Sequence, residues 1–162
     1  MAIWTGTSGA DSKYWEGEPP TVRVQAVEMN GLGGNDTLTG FTNNDTIRGG
    51  DGQDLLDGWS GNDALWGGND ADRIYGNLGN DSLWGDNGDD SLFGNEGEDR
   101  LFAGLGNDTL DGGAGLDEMY GDIGNDLMRG GDGNDQMWGD ANDRNDPTPG
   151  NDTLLGEAGN DN

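Results

Sequence analysis

Gly76-Asn77-Leu78-Gly79-Asn80-Asp81-Ser82-Leu83-Trp84 is followed at once by Gly85-Asp86-Asn87-Gly88-Asp89-Asp90-Ser91-Leu92-Phe93, the same nine-residue pattern written twice: G-x-x-G-x-D-x-Φ-x, with Φ aliphatic or Met. Outward from this pair the Asp recurs at Asp36, Asp45, Asp54, Asp63, Asp72, Asp81, Asp90, Asp99, Asp108, Asp117, Asp126 and Asp135, twelve slots without a miss. Two residues after each stands Leu38, Ile47, Leu56, Leu65, Ile74, Leu83, Leu92, Leu101, Leu110, Met119, Met128 or Met137. Gly stands two before each Asp except at Asn43 and Asp70, and both of those residue types tolerate a left-handed backbone. A further Gly stands five before each Asp, from Gly31 to Gly130, failing only at Ala103. Unbroken periodicity of this length marks a stack of repeated units, each too small to bury a core alone.

Composition agrees that no ordinary core is present. Of 162 residues, 30% are hydrophobic and 34 are Gly, and 33 acids against 7 bases give a formal charge of -26. Without the repeat, such low hydrophobicity and high charge would leave chain entropy unopposed and predict disorder. The acids are 26 Asp and 7 Glu, a bias toward the residue that suits turns. With no Cys and no His, disulfides, thiolate metal sites and imidazole chemistry are excluded, as are H-E-x-x-H zinc sites and serine triads. No enzyme is expected. Anionic partners such as nucleic acid are disfavoured by the charge. Met1 to Gly6 shows no basic and apolar leader, and no run approaches the roughly 18 apolar residues of a membrane span.

The unit closely resembles the nonapeptide G-G-x-G-x-D-x-U-x of the RTX (repeats-in-toxin, hemolysin-type) calcium-binding family. The resemblance covers residues 31–138 without a gap, although the second Gly is kept only at Gly50, Gly68, Gly104, Gly113 and Gly131. It implies an all-β fold, a right-handed parallel β-roll in which two repeats make one 18-residue coil. Each repeat then supplies a six-residue loop and a three-residue strand, so residues 18 apart lie above one another. One edge carries Asp36, Asp54, Asp72, Asp90, Asp108 and Asp126, and the other carries Asp45, Asp63, Asp81, Asp99, Asp117 and Asp135.

Coils about 4.8 Å apart bring facing carboxylates too close to stay ionised without a cation. Ca²⁺, a hard ion taking about six to eight oxygens, fits carboxylates and the carbonyls of Gly-rich loops. By resemblance, each ion takes Asp oxygens from two stacked loops, with carbonyls of the first and third residues of one and the second and fourth of the other. The site joining Asp54 to Asp72 would then use carbonyls of Gly49, Asp51, Gly68 and Asp70. Five gaps on each edge suggest about ten ions, about +20 against the -26 of the chain. The resemblance also implies a secreted bacterial protein, extracellular or at the cell surface, exported by a type I route, in which the module is a folding scaffold of something larger.

Outside the regular block, residues 1–30 are expected to form an N-terminal cap. Gly6-Thr7-Ser8-Gly9-Ala10-Asp11 copies a loop before Lys13 takes the apolar slot, and Val22, Val24 and Ala26 alternate as in a strand. Asp11 is a further candidate ligand. In residues 139–162 the phase breaks around Pro147 and Pro149, resumes at Asp152 (another candidate ligand) and again at Asp161, and stops inside a repeat, as in a fragment.

The residue after each buried position reads Arg48, Trp66, Trp84, Phe102, Tyr120, Trp138 on one face. Such a ladder either stiffens the sheet or docks a second copy, a neighbouring domain or a glycan. The resemblance, to a family some of whose members bind ice with one face of the roll, also leaves ice or glycan adhesion open beside the scaffold reading.

Overall fold

The computed structural model describes residues 2–14, 26–140 and 150–162. Among these there is no helix. The first strands are β1 (Ala2–Thr5), β2 (Ser12–Tyr14), β3 (Val27–Gly33), β4 (Thr37–Thr39), β5 (Thr46–Asp51) and β6 (Leu55–Asp57). The middle of the stack holds β7 (Ala64–Asn69), β8 (Arg73–Leu78), β9 (Ser82–Asn87), β10 (Ser91–Glu96) and β11 (Arg100–Leu105). Then come β12 (Thr109–Gly115), β13 (Glu118–Ile123), β14 (Leu127–Gly133), β15 (Gln136–Trp138) and β16 (Thr153–Ala158). Odd-numbered strands form one eight-stranded parallel sheet and even-numbered strands a second. Consecutive strands therefore sit on opposite walls of a β-solenoid.

Register follows the sequence period. Leu65 pairs with Leu83 and Leu83 with Leu101, each 18 residues on. On the other wall Ile74 pairs with Leu92 and Leu92 with Leu110. The series from Leu38 to Met128 is fully buried, in two facing files that form a core one side chain thick per wall. Its neighbours on either side point outward, as strand alternation requires.

The strands run longer than the three residues expected. In β7 the pairing with β9 skips buried Gly67, then resumes with Gly68 opposite Asp86 and Asn69 opposite Asn87. The first half of each loop lies over the equivalent half of the next coil, so the same 18-residue offset extends the ladder. The chain bends out of the strand at the fourth position, where Gly79 (φ 128°) and Gly88 (φ 144°) adopt a backbone that Cβ-bearing residues avoid. Of these strands, β2, β4, β6 and β15 keep the three-residue length.

Two registers differ in length. Ala2 pairs with Val27 and Ser12 with Thr37, steps of 25, and Leu127 pairs with Thr153, a step of 26. Lys13 takes its place beside Leu38. The expected strand through Val22 and Val24, and the Pro147–Pro149 stretch, lie outside the described residues. Ala26 directly precedes β3. Buried Val27 and Met29 were not anticipated, yet they stand nine residues before Asp36 and Leu38. Val27 thus occupies an Asp slot and Met29 the apolar slot of one more repeat.

Candidate metal centre

The twelve Asp residues anticipated from the period are all buried, none more than 3% exposed. They form two columns. On one edge the N–H of Asp36 donates to Oδ1 of Asp54, Asp54 to Asp72, Asp72 to Asp90, Asp90 to Asp108 and Asp108 to Asp126, at 2.7–2.9 Å. On the other, Asp45, Asp63, Asp81, Asp99, Asp117 and Asp135 are linked in the same sense at 2.7–3.0 Å. Asp11 donates to Asp36 Oδ1 and Asp126 to Asp152 Oδ1, so both outlying candidates join the first column. Asp161, not among those candidates, accepts from Asp135 and extends the second.

Only one carboxylate oxygen is used in this way. Oδ2 is buried and without a hydrogen-bond partner in eleven of the twelve. The exception, Asp45 Oδ2, accepts the N–H of Phe41. An orphaned buried carboxylate oxygen is costly, and a ladder of them marks a place for a ligand.

The surroundings of each Oδ2 are built from glycine. A Cβ added to Gly49 would collide with Asp54 Oδ2 and the Gly67 carbonyl oxygen, and one on Gly94 with Asp99 Oδ2 and the Gly112 carbonyl. The same pairing of own-loop carboxylate with next-coil carbonyl recurs at Gly31, Gly40, Gly58, Gly67, Gly112, Gly121 and Gly130. Oxygens thus converge on a small space that the missing side chain leaves. No three carboxylates gather closely enough to hold an ion by themselves among the described residues. Backbone carbonyls must complete any donor set, and an all-oxygen set of this kind suits a hard divalent cation.

The electrostatics point the same way. Burial pushes the carboxyls of Asp63 and Asp72 up to about 8, against the N–H bond each accepts, and neighbouring carboxylates add to the rise. Asp99 and Asp108 reach about 7 for the same reasons. Asp54, Asp81, Asp90, Asp117 and Asp126 reach about 6, again chiefly through burial. Stacked without a counter-ion, Asp63 and Asp72 resist ionisation at neutral pH, and the other carboxyls ionise less readily than a free Asp. On the second edge a groove of about 290 Å³ runs along the loops that carry Asp81, Asp99 and Asp117.

In several repeats the residue before the Asp forms a second ladder. Oδ1 of Asn44 accepts the N–H of Asn62, Asn62 that of Asn80, and Asn80 that of Glu98, at 3.0–3.1 Å. Asp89, Asn107 and Asn125 do the same for Asn107, Asn125 and Asn151. These side chains grip the following coil, whereas the Asp carboxylates grip the preceding one. The amide period of 18 was the sequence signal for it.

Trp66, Trp84, Phe102, Tyr120 and Trp138 stack along one wall with centroids 4.5–5.6 Å apart and planes within 9°. Arg48 caps the column at 4.6 Å from the Trp66 ring. All five are half-buried rather than an open strip, because each ring covers the next. The ring faces between Trp66 and Trp138 are occupied by neighbouring rings, which leaves edges, not platforms, toward solvent. A shorter stack, Phe41 on Trp59 at 5.2 Å, lies at a loop position the sequence did not single out.

Together these features define a parallel β-solenoid of nonapeptide loops whose turns hold two columns of buried carboxylates. The family profile of the RTX calcium-binding nonapeptide repeat (4 copies) matches residues 30–65, 66–101, 93–128, 111–144 and 148–162, most of the chain, and the protein belongs to this calcium-binding repeat family. Among curated proteins no significant match was found.

Proposed function

We propose that the chain is a calcium-folded scaffold: Ca²⁺ sits between stacked loops on both edges, and the filled edges hold the roll together. The observation that carries this is the column of buried, unpartnered Asp Oδ2 oxygens, most of them sharing their glycine cradle with a backbone carbonyl of the next coil. The proposed ligands are Asp36, Asp54, Asp72, Asp90, Asp108 and Asp126 on one edge, with Asp11 and Asp152 at its ends. The other edge uses Asp45, Asp63, Asp81, Asp99, Asp117 and Asp135. About ten ions between the twelve central loops would offset most of the -26 charge. The bound ion supplies charge neutralisation and oxygen coordination; the Asp residues orient toward it through the N–H bonds that fix Oδ1.

Because a formed site is absent from the unfolded chain, calcium binding free energy becomes folding free energy. Extracellular calcium modules have Kd of about 10⁻⁴–10⁻³ M, a range that the outside of a cell saturates and a resting cytosol does not. The family's association with secreted bacterial proteins supports export unfolded and folding outside, as the scaffold of a larger protein. Circular dichroism at about pH 8 in millimolar Ca²⁺ and in chelator tests this: at that pH, β-structure should appear only with the ion. Identical spectra would remove the proposal.

A further inference from the structure

Fourteen glycines, from Gly6 to Gly156, stand at the loop position where an added Cβ would strike the same loop's Asp Oδ2. At the equivalent place in the loop ending at Asp108 stands Ala103, whose methyl is real and fully buried. The chain does not bulge to make room for it. Leu101 and Phe102 remain paired with Met119 and Tyr120, and Gly104 with Asp122. Asp90 still donates to Asp108 Oδ1 at 2.7 Å, and Asp108 to Asp126 Oδ1 at 2.9 Å. The space for the methyl therefore comes from the cradle itself.

We infer that the Ala103 side chain fills the cradle between loops 103–108 and 121–126, closing one cation position and dividing that edge's row of ions in two. The inference rests on the calcium reading above. The repeat fixes which oxygens are affected. By the pattern at Gly67 and Gly121, a Cβ at this position faces the loop's own Oδ2, here Asp108, and the carbonyl of the residue 18 ahead, here Gly121. A cation needs its oxygens at about 2.3–2.6 Å, whereas a methyl carbon keeps neighbours at about 3.5–4.0 Å. Both do not fit. The preceding position keeps its donors, because Gly85 still leaves open the space shared by Asp90 Oδ2 and the Ala103 carbonyl oxygen. On the opposite edge Gly40, Gly58, Gly76, Gly94, Gly112, Gly130 and Gly156 leave every cradle open.

The test counts calcium ions bound at saturation and their affinities, by equilibrium dialysis and calorimetric titration of the full chain, for wild type, Ala103→Gly and Gly94→Ala. Ala103→Gly should bind one more ion than wild type, or bind its last ion about tenfold more tightly. Gly94→Ala, which puts the same methyl on the intact edge, should lose one. Equal ion counts and affinities for Ala103→Gly and wild type would overturn the inference, whether or not Gly94→Ala folds. Wild-type protein that binds no calcium would overturn the calcium reading, and this inference with it.

Discussion

The N–H of Asp72 donates to Oδ1 of Asp90 at 2.7 Å, while Oδ2 of Asp90 lies buried without a partner. One carboxylate thus serves the chain with one oxygen and leaves the other for the proposed calcium ion. Replacement by Asn keeps an oxygen for Asp72 but removes the charge; replacement by Ala removes both. Asp90→Asn and Asp90→Ala should each raise the calcium concentration at the folding midpoint. Ala should cost about 1–3 kcal/mol more, because it strands a buried N–H. Calcium titration followed by circular dichroism separates them, and coincident midpoints would show that the Asp72 bond contributes nothing.

In the absence of divalent cations, pH should control folding. A carboxyl whose folded pKa stands above its unfolded value stabilises the roll below the unfolded pKa, and that stabilisation is lost as pH rises through the folded value. Burial raises Asp63 and Asp72 to about 8 from 3.8, so the window runs from about pH 4 to about pH 8. Chelated protein should therefore show more β-structure at pH 4 than at pH 8, and the calcium midpoint should rise as protons compete at lower pH. Equal or greater structure at pH 8 in chelator would contradict this.

Leu32 holds φ 75° and is 46% exposed, so its side chain returns little for the backbone strain it imposes. The corresponding position in the next coil on that edge is Gly50, with φ 116°. Leu32→Gly should stabilise the calcium-bound roll by about 1 kcal/mol, seen as a higher thermal midpoint. A lower midpoint would mean that Leu32 makes an unrecognised contact.

The aromatic column should act as reinforcement. Phe102→Ser removes the stacks with Trp84 at 5.6 Å and Tyr120 at 5.1 Å. Each is worth about 0.5–1.5 kcal/mol beyond area burial. Thermal stability and near-ultraviolet dichroism should fall while the number of bound calcium ions is unchanged. A change in the ion count would tie the column to the metal edges.

Most of the architecture was legible because a single number governs it. Once Asp81 and Leu83 recur every nine residues, strand alternation fixes which face each residue takes, and two repeats per coil fix the pairing. The structure adds what periodicity of residue type does not encode. The strands lengthen because loop halves pair as well, which depends on backbone overlap rather than on side chains. The Asn44–Asn62–Asn80 ladder escaped because Asn reads equally well as a turn residue. Val27 and Met29 were hidden since Val in an Asp slot breaks the spelling of the motif while keeping its phase. At the loop edges the Asp columns were foreseen; that Oδ1 of each accepts an N–H from the preceding coil, leaving Oδ2 of most without a partner, was not.

The register survives where the count does not. Across Ala2 to Val27 and Leu127 to Thr153 the chain spends 25 and 26 residues in place of 18, yet the next strand lands in phase. Position in the stack is therefore set by contact with the coil beneath, as in a one-dimensional crystal growing by accretion. Such a lattice takes up extra residues as interstitials without dislocation. The longer spans at these two points thus lengthen the polypeptide while leaving the axial repeat of the described strands untouched.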